Sequence, residues 1–271
     1  MKIKFASAAA AVAFAFAAQV AHADDAPAPE VTITGSAAIA SQYRFRGISQ
    51  SDNKPVVQAA LTITDKSGFY VSAWGSSASG GSSPVQLGGT EIDVYGGYSK
   101  TINGFTLDGG LYGYIYPGSS SVNTGAYGKP AGLSYFEIYG DVSKSYGPIT
   151  AKVGVNWAPK QAYFNDFNTP SKYSVYEYAE LSLAVPQTPI TLHSHLGHTG
   201  GGFNYGAGSG YAGKEYIDYT VGAGYKWKAL TFDVSLVGTN VGHKVDAVYG
   251  TGSNFQRIGK AAAVFSLTAG F

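Results

Sequence analysis

The chain has 271 residues, enough for one large domain or two small ones, with 37 Gly, 21 Tyr and 14 Phe but only 13% charged side chains. A formal net charge of +1 argues against nucleic acid as a partner, and the lack of any Cys excludes a disulfide framework, thiolate chemistry and a cysteine zinc site. No apolar run beyond the amino terminus is long enough for a membrane helix, so the glycine- and aromatic-rich mixture points to a transmembrane β-barrel or a secreted β-protein.

The amino terminus reads as a targeting segment. Lys2 and Lys4 form a basic start, residues 5–18 are an apolar run, and Ala21-His22-Ala23 fits a small-residue cleavage site. Residues 1–23 are therefore expected to be a signal peptide and residues 24–30, with Pro27 and Pro29, a periplasmic lead-in. Loss of Lys2 and Lys4 leaves 16 basic against 17 acidic residues, a mature net charge of −1.

From residue 31 the text is alternation broken by turns. Residues 31–48 read as a long first strand, with Val31, Ile33, Ala37, Ile39, Tyr43 and Phe45 on one face and Arg44 and Arg46 on the other. Residues 56–64 and 69–76 follow as a hairpin about Asp65-Lys66-Ser67-Gly68. Residues 90–101 set Ile92, Val94 and Tyr98 against Glu91, Asp93 and Tyr95. Asn103-Gly104 is the strongest hairpin signal in the chain and places Ile102 opposite Phe105. Residues 105–116, 133–144, 149–157, 175–185, 190–198, 216–227 and 230–241 continue the pattern. The last strand, residues 261–271, carries Phe265, Leu267 and Phe271 on its oily side and ends the chain in regular structure. Termini fray unless paired, so this strand is expected to close a barrel against the first.

About twelve strands result, joined by strictly alternating short turns and longer loops, as in bacterial outer-membrane barrels. A soluble sandwich would show the same alternation. Three features favour the membrane: strands near the ~9–11 residues a tilted span needs, aromatic residues at apolar strand ends (Tyr43, Phe45, Phe69, Phe105, Trp157, Tyr225, Trp227, Phe271), and the loop asymmetry. The expected fold is all-β: a transmembrane antiparallel up-and-down β-barrel over residues 31–271, closed because lipid tolerates no open sheet edge, with both termini periplasmic.

The run Ser41-Gln42-Tyr43-Arg44-Phe45-Arg46-Gly47-Ile48-Ser49-Gln50, followed by Lys54-Pro55-Val56-Val57-Gln58, resembles the start of the TorF family of proteobacterial porins. The terminal Phe is likewise similar to the ending of bacterial outer-membrane barrels. The resemblance implies an outer-membrane barrel that conducts small solutes, embedded in outer-membrane lipid and inserted by the outer-membrane assembly machinery. It names no solute and no cofactor.

If the apolar face meets lipid, the other lines a lumen. That face holds the acids Glu91, Asp93, Asp108, Glu137, Asp141, Glu180, Asp218 and Asp233 and the bases Arg44, Arg46, Lys152 and Lys226. Unpaired buried charge costs several kcal/mol per ion, so these groups need water or partners, and a narrow water-filled pore is expected. Folding about Tyr146-Gly147 sets Asp141 opposite Lys152, and folding about Gln187-Thr188 sets Glu180 opposite His195. Such charges act as a transverse field selecting small hydrophilic solutes or as a network stiffening the wall. The acid excess suggests mild cation preference. His193 and His195 face the lumen, two residues apart; without Cys, a metal would need Glu180 or a loop residue as a further ligand, and lumen lining is the expected role. A lipid-hydrolysing barrel would need a base beside Ser194, which points to the other face, so no enzyme is expected. A structural or adhesive barrel binding a partner through its loops is the other alternative.

Overall fold

The computed structural model describes residues 30–79, 87–119, 134–161, 173–201, 215–241 and 254–271. The expected signal peptide, all of the lead-in but Glu30, and the middles of five longer connections lie outside these residues.

Twelve strands form a closed antiparallel barrel. They are β1 (Val31–Ala40), β4 (Val56–Asp65), β5 (Phe69–Ser77), β6 (Thr90–Ile102), β7 (Phe105–Ile115), β8 (Tyr135–Tyr146), β9 (Ile149–Ala158), β10 (Ser174–Ala184), β11 (Ile190–Gly201), β12 (Tyr216–Trp227), β13 (Leu230–Thr239) and β14 (Ala262–Gly270). Each barrel strand pairs with the next along the chain, and β1 joins β4 to β14. Two short strands, β2 (Arg44–Phe45) and β3 (Ile48–Ser49), pair only with each other, and a short helix, α1 (Asn254–Gly259), precedes β14.

The period-two pattern sets the two faces. Outward positions are large and apolar, with Val57 and Phe69 each 62% exposed and Leu61, Val153, Val221 and Phe265 also open on the outside. Inward positions carry Tyr, Asp, Glu, Ser and Gly. A continuous apolar belt of this kind has no favourable contact with water. Trp157, Trp227, Tyr225, Phe69, Phe105 and Phe271 sit exposed on it, as aromatic girdles do.

Turn chemistry fixes the registers. Asn103 and Gly104 both take positive φ (51° and 79°), the conformation a two-residue type I′ hairpin needs, and Ile102 faces Phe105. Glu180 faces His195, as expected. The β8–β9 hairpin differs: Tyr146 faces Ile149, so Asp141 lies opposite Gly154 and Lys152 opposite Ser143. The turn is Gly147-Pro148, with Gly147 at φ 56°, because a type II′ turn wants Gly first; the expected Asp141–Lys152 pairing is two residues out.

The last strand closes on the first. Gly35 N donates to Phe271 O at 2.8 Å and Phe271 N to Gly35 O at 3.0 Å, while Ile39 faces Leu267. Gly35 is required sterically, since a Cβ there would lie 2.6 Å from two carbons of the Phe271 ring. The first strand departs from expectation. It stops at Ala40, and Tyr43 and Phe45, expected on the outer belt, are 2% and 4% exposed inside the barrel.

Candidate functional site

Residues 41–55 fold into the lumen rather than extending the wall. Arg44 pairs with Ser49 and Phe45 with Ile48 in the β2–β3 hairpin, whose tip is Arg46-Gly47 at φ 46° and 80°. Gly47 is pressed against the wall: a Cβ would lie 2.8 Å from the carbonyl oxygen of Gly238. A second reversal uses Asp52 and Asn53, both at φ 59°. Ser51 Oγ accepts from Tyr43 N at 3.0 Å and donates to Lys54 O at 2.7 Å, locking the base of the hairpin. The rim near α1 straps it down. Asp52 pairs with Arg257, Asn53 Nδ2 donates to Arg257 O at 3.2 Å, and Ile48 packs with Tyr216, Val241 and Ile258.

The hairpin leaves the wall because its polar groups find partners inside. Arg46 donates to both oxygens of Glu137 at 2.8 and 2.7 Å, and this ion pair is 1% exposed on each side. The guanidinium also lies over the rings of Tyr176 (4.0 Å) and Phe45 (4.7 Å). Glu137 accepts further bonds from Tyr114 Oη and Asn156 Nδ2, each at 3.0 Å. Glu91 accepts from Tyr43 Oη at 3.1 Å and Tyr116 Oη at 3.3 Å, and Asp93 from Tyr112 Oη at 2.8 Å. Tyr95, Tyr112, Tyr114 and Tyr135 stack in a row along β6, β7 and β8, with centroids 4.6, 4.6 and 4.4 Å apart. At this level the tyrosines, the carboxylates and the hairpin pack against one another and narrow the lumen.

A second network runs along the wall toward the short turns. Lys152 Nζ meets Glu180 at 2.7 Å, Glu180 meets His195 Nδ1 at 3.2 Å, and His195 Nε2 meets Tyr176 Oη at 2.6 Å and Asp218 at 3.3 Å. Tyr178 Oη donates to Asp141 at 3.4 Å and Tyr70 Oη to Asp108 at 2.6 Å, with Tyr139 bonded to Tyr70. His193 Nε2 and Ser235 Oγ hold the two oxygens of Asp233 at 2.7 and 2.6 Å. Lys226 is half-buried on the same face near the β12–β13 turn.

The structure thus places the fourteen lumen candidates on the inner wall or the hairpin, most of them in these hydrogen-bonded clusters. It adds Tyr112, Tyr114, Asn156 and Tyr176, whose inward parity beside the acids was the available signal, and Tyr43, whose parity in an unbroken first strand pointed outward. His193 and His195 bind carboxylates inside the barrel, while Ser194 lies on the other face between Leu181 and Val221. Among the described residues no group of three or more His, Asp or Glu is placed to hold a metal ion.

A family model described as "Bacterial protein of unknown function (Gcw_chp)" matches residues 24–271. No curated protein sequence matches the chain. Among solved structures, the NanC porin superposes with a TM-score of 0.53 at 9% identity, covering 89% of this chain and 99% of its own. The KdgM porin gives a TM-score of 0.51 at 10% identity, covering 88% and 98%. At these identities the likeness is one of fold.

Proposed function

The chain belongs to the Gcw_chp family of bacterial proteins, and for this member we propose the role of a porin-like channel of the bacterial outer membrane, passing small hydrophilic solutes through a charged, hairpin-narrowed lumen. The observation that carries this reading is a closed barrel turned inside out: apolar outside, ionic and hydrogen-bonded within. A soluble barrel gains nothing from that arrangement, whereas in lipid it satisfies every face. The fold shared with two porins supports it, as does the resemblance of residues 41–58 to the TorF porins. Those residues are the inner hairpin itself.

In this reading the short turns and both termini are periplasmic, the longer loops are external, and insertion uses the outer-membrane assembly machinery. The lumen residues named above line the route or brace it. The packed hairpin favours one other reading, a structural barrel that stays shut. Liposome swelling separates the two: a channel admits small sugars or amino acids at rates above protein-free vesicles, and a structural barrel does not.

A further inference from the structure

The inner hairpin does not fill the barrel evenly. Its aromatic and ionic contacts lie on one arc of the wall, with the Tyr43 ring 5.2 Å from Trp74, the Phe45 ring 5.5 Å from Tyr114 and Arg46 on Glu137, while its tip, at Gly47, touches β13 at Gly238. The opposite arc, β13, β14, β1 and β4, turns mainly small side chains inward, among them Ser36, Ala38, Ala40 and Ser266. A narrow cavity of about 50 Å³ lies between this arc and the hairpin, bounded on the hairpin side by Gln42, Tyr43 and Arg44 and at its edge by Trp74.

The charges along this cavity differ from those of the lumen as a whole. Of the eight interior acids only Asp233 lines it, and His193 and Ser235 hold both its oxygens. The Arg44 guanidinium donates to Gln42 Oε1 (2.9 Å), Gly47 O (2.8 Å), Lys260 O (2.8 Å) and Asn53 Oδ1 (3.3 Å), all neutral. Among the described residues no carboxylate lies within 4 Å of it. Arg46, two residues on, has its carboxylate; buried Arg44 has none among the described residues. A low-dielectric site with an uncompensated cation favours an anion that can reach it.

We propose that solute passes along this eccentric cleft rather than down the barrel axis, and that Arg44 is its selecting residue, pairing in transit with the anionic group of a small carboxylate-bearing solute. The proposal rests on the channel reading. The cavity as it stands holds no more than a water or two, so passage widens it by shifting the hairpin off the small-residue arc. Counting acids against bases suggests cation preference, but the count does not distinguish the arcs.

The absence of native Cys allows a direct test. Ala38→Cys places a thiol in the cleft, and Ala158→Cys places one on the opposite arc, where Ala158 is wholly buried. Each variant of the full chain, in planar bilayers and in vesicles, is exposed to an anionic and a cationic methanethiosulfonate. Rates are normalised to a free thiol and read by mass and by current. Ala38→Cys is expected to react about fivefold or more faster with the anionic reagent, with current falling as it reacts. Arg44→Gln should bring the ratio to about one, and Ala158→Cys should stay unmodified. Faster reaction with the cation, equal reaction at both sites, or full current with an unreactive Ala38→Cys would overturn the proposal. No current from any variant, with Ala38→Cys still reacting anion-first, would overturn the channel reading and uphold the anion site.

Discussion

Glu137 is the point on which the hairpin turns. Its carboxylate receives Arg46 from the hairpin, Tyr114 from β7 and Asn156 from β9, so three elements meet on one buried charge. Removing one partner of a buried ion pair leaves the other charge stranded, typically at ~3–5 kcal/mol. Glu137→Gln is therefore expected to release the hairpin, lowering the unfolding midpoint in detergent and raising single-channel conductance. A double replacement, Arg46→Met with Glu137→Met, removes both charges and should recover most of the lost stability; equal stability of native and Glu137→Gln proteins would contradict the latch. Gly35 makes a second residue-level case. Gly35→Leu drives a side chain into the Phe271 ring and is expected to cost about 1–3 kcal/mol, as overpacking does, read as earlier loss of the folded gel band on heating.

Among the elements, the test lies in neighbouring positions of β14. Leu267 points outward and Ser266 inward, so Leu267→Arg should cost ~2–4 kcal/mol near the membrane midplane while Ser266→Arg folds well and alters conductance. Equal tolerance at the two sites would undo the face assignment. The strands were legible because outward Val, Leu and Ile alternate with inward polar residues, and because Asn103-Gly104 leaves one register open to its hairpin. The β8–β9 register was not, since Tyr146-Gly147-Pro148 admits two placements and only the φ of Gly147 chooses. The inner hairpin was hidden for a different reason. Tyr43 and Phe45 alternate with Arg44 and Arg46 as a wall strand would, but Tyr43 carries a hydroxyl that Glu91 takes up, and Arg46-Gly47 is a turn pair. The lumen acids and the inward side of Tyr112, Tyr114 and Tyr176 were readable from parity; which tyrosine bonds which acid was not, because pairing across strands depends on registers that parity does not give.

At the scale of the molecule, one arc of wall binds the hairpin by a buried ion pair and tilted or edge-on aromatic contacts, and the other meets it mainly with small side chains and a cavity. The holding contacts are mostly polar, and polar contacts can be exchanged for water, which makes the hairpin the natural low-stability unit of an otherwise continuous sheet. The twelve-strand wall needs none of residues 42–51 to close, since β1 ends at Ala40 and pairs with β4 from Val56. Replacing residues 42–51 with a short Gly/Ser linker should therefore leave a folded barrel with a wider bore. The most direct test of the whole account is single-channel recording of purified native protein and of this hairpin-replaced form in the same planar bilayers. Discrete small steps from the native chain and several-fold larger steps from the replaced one are expected. Silence from both, with each protein shown to be folded and inserted, would contradict the account.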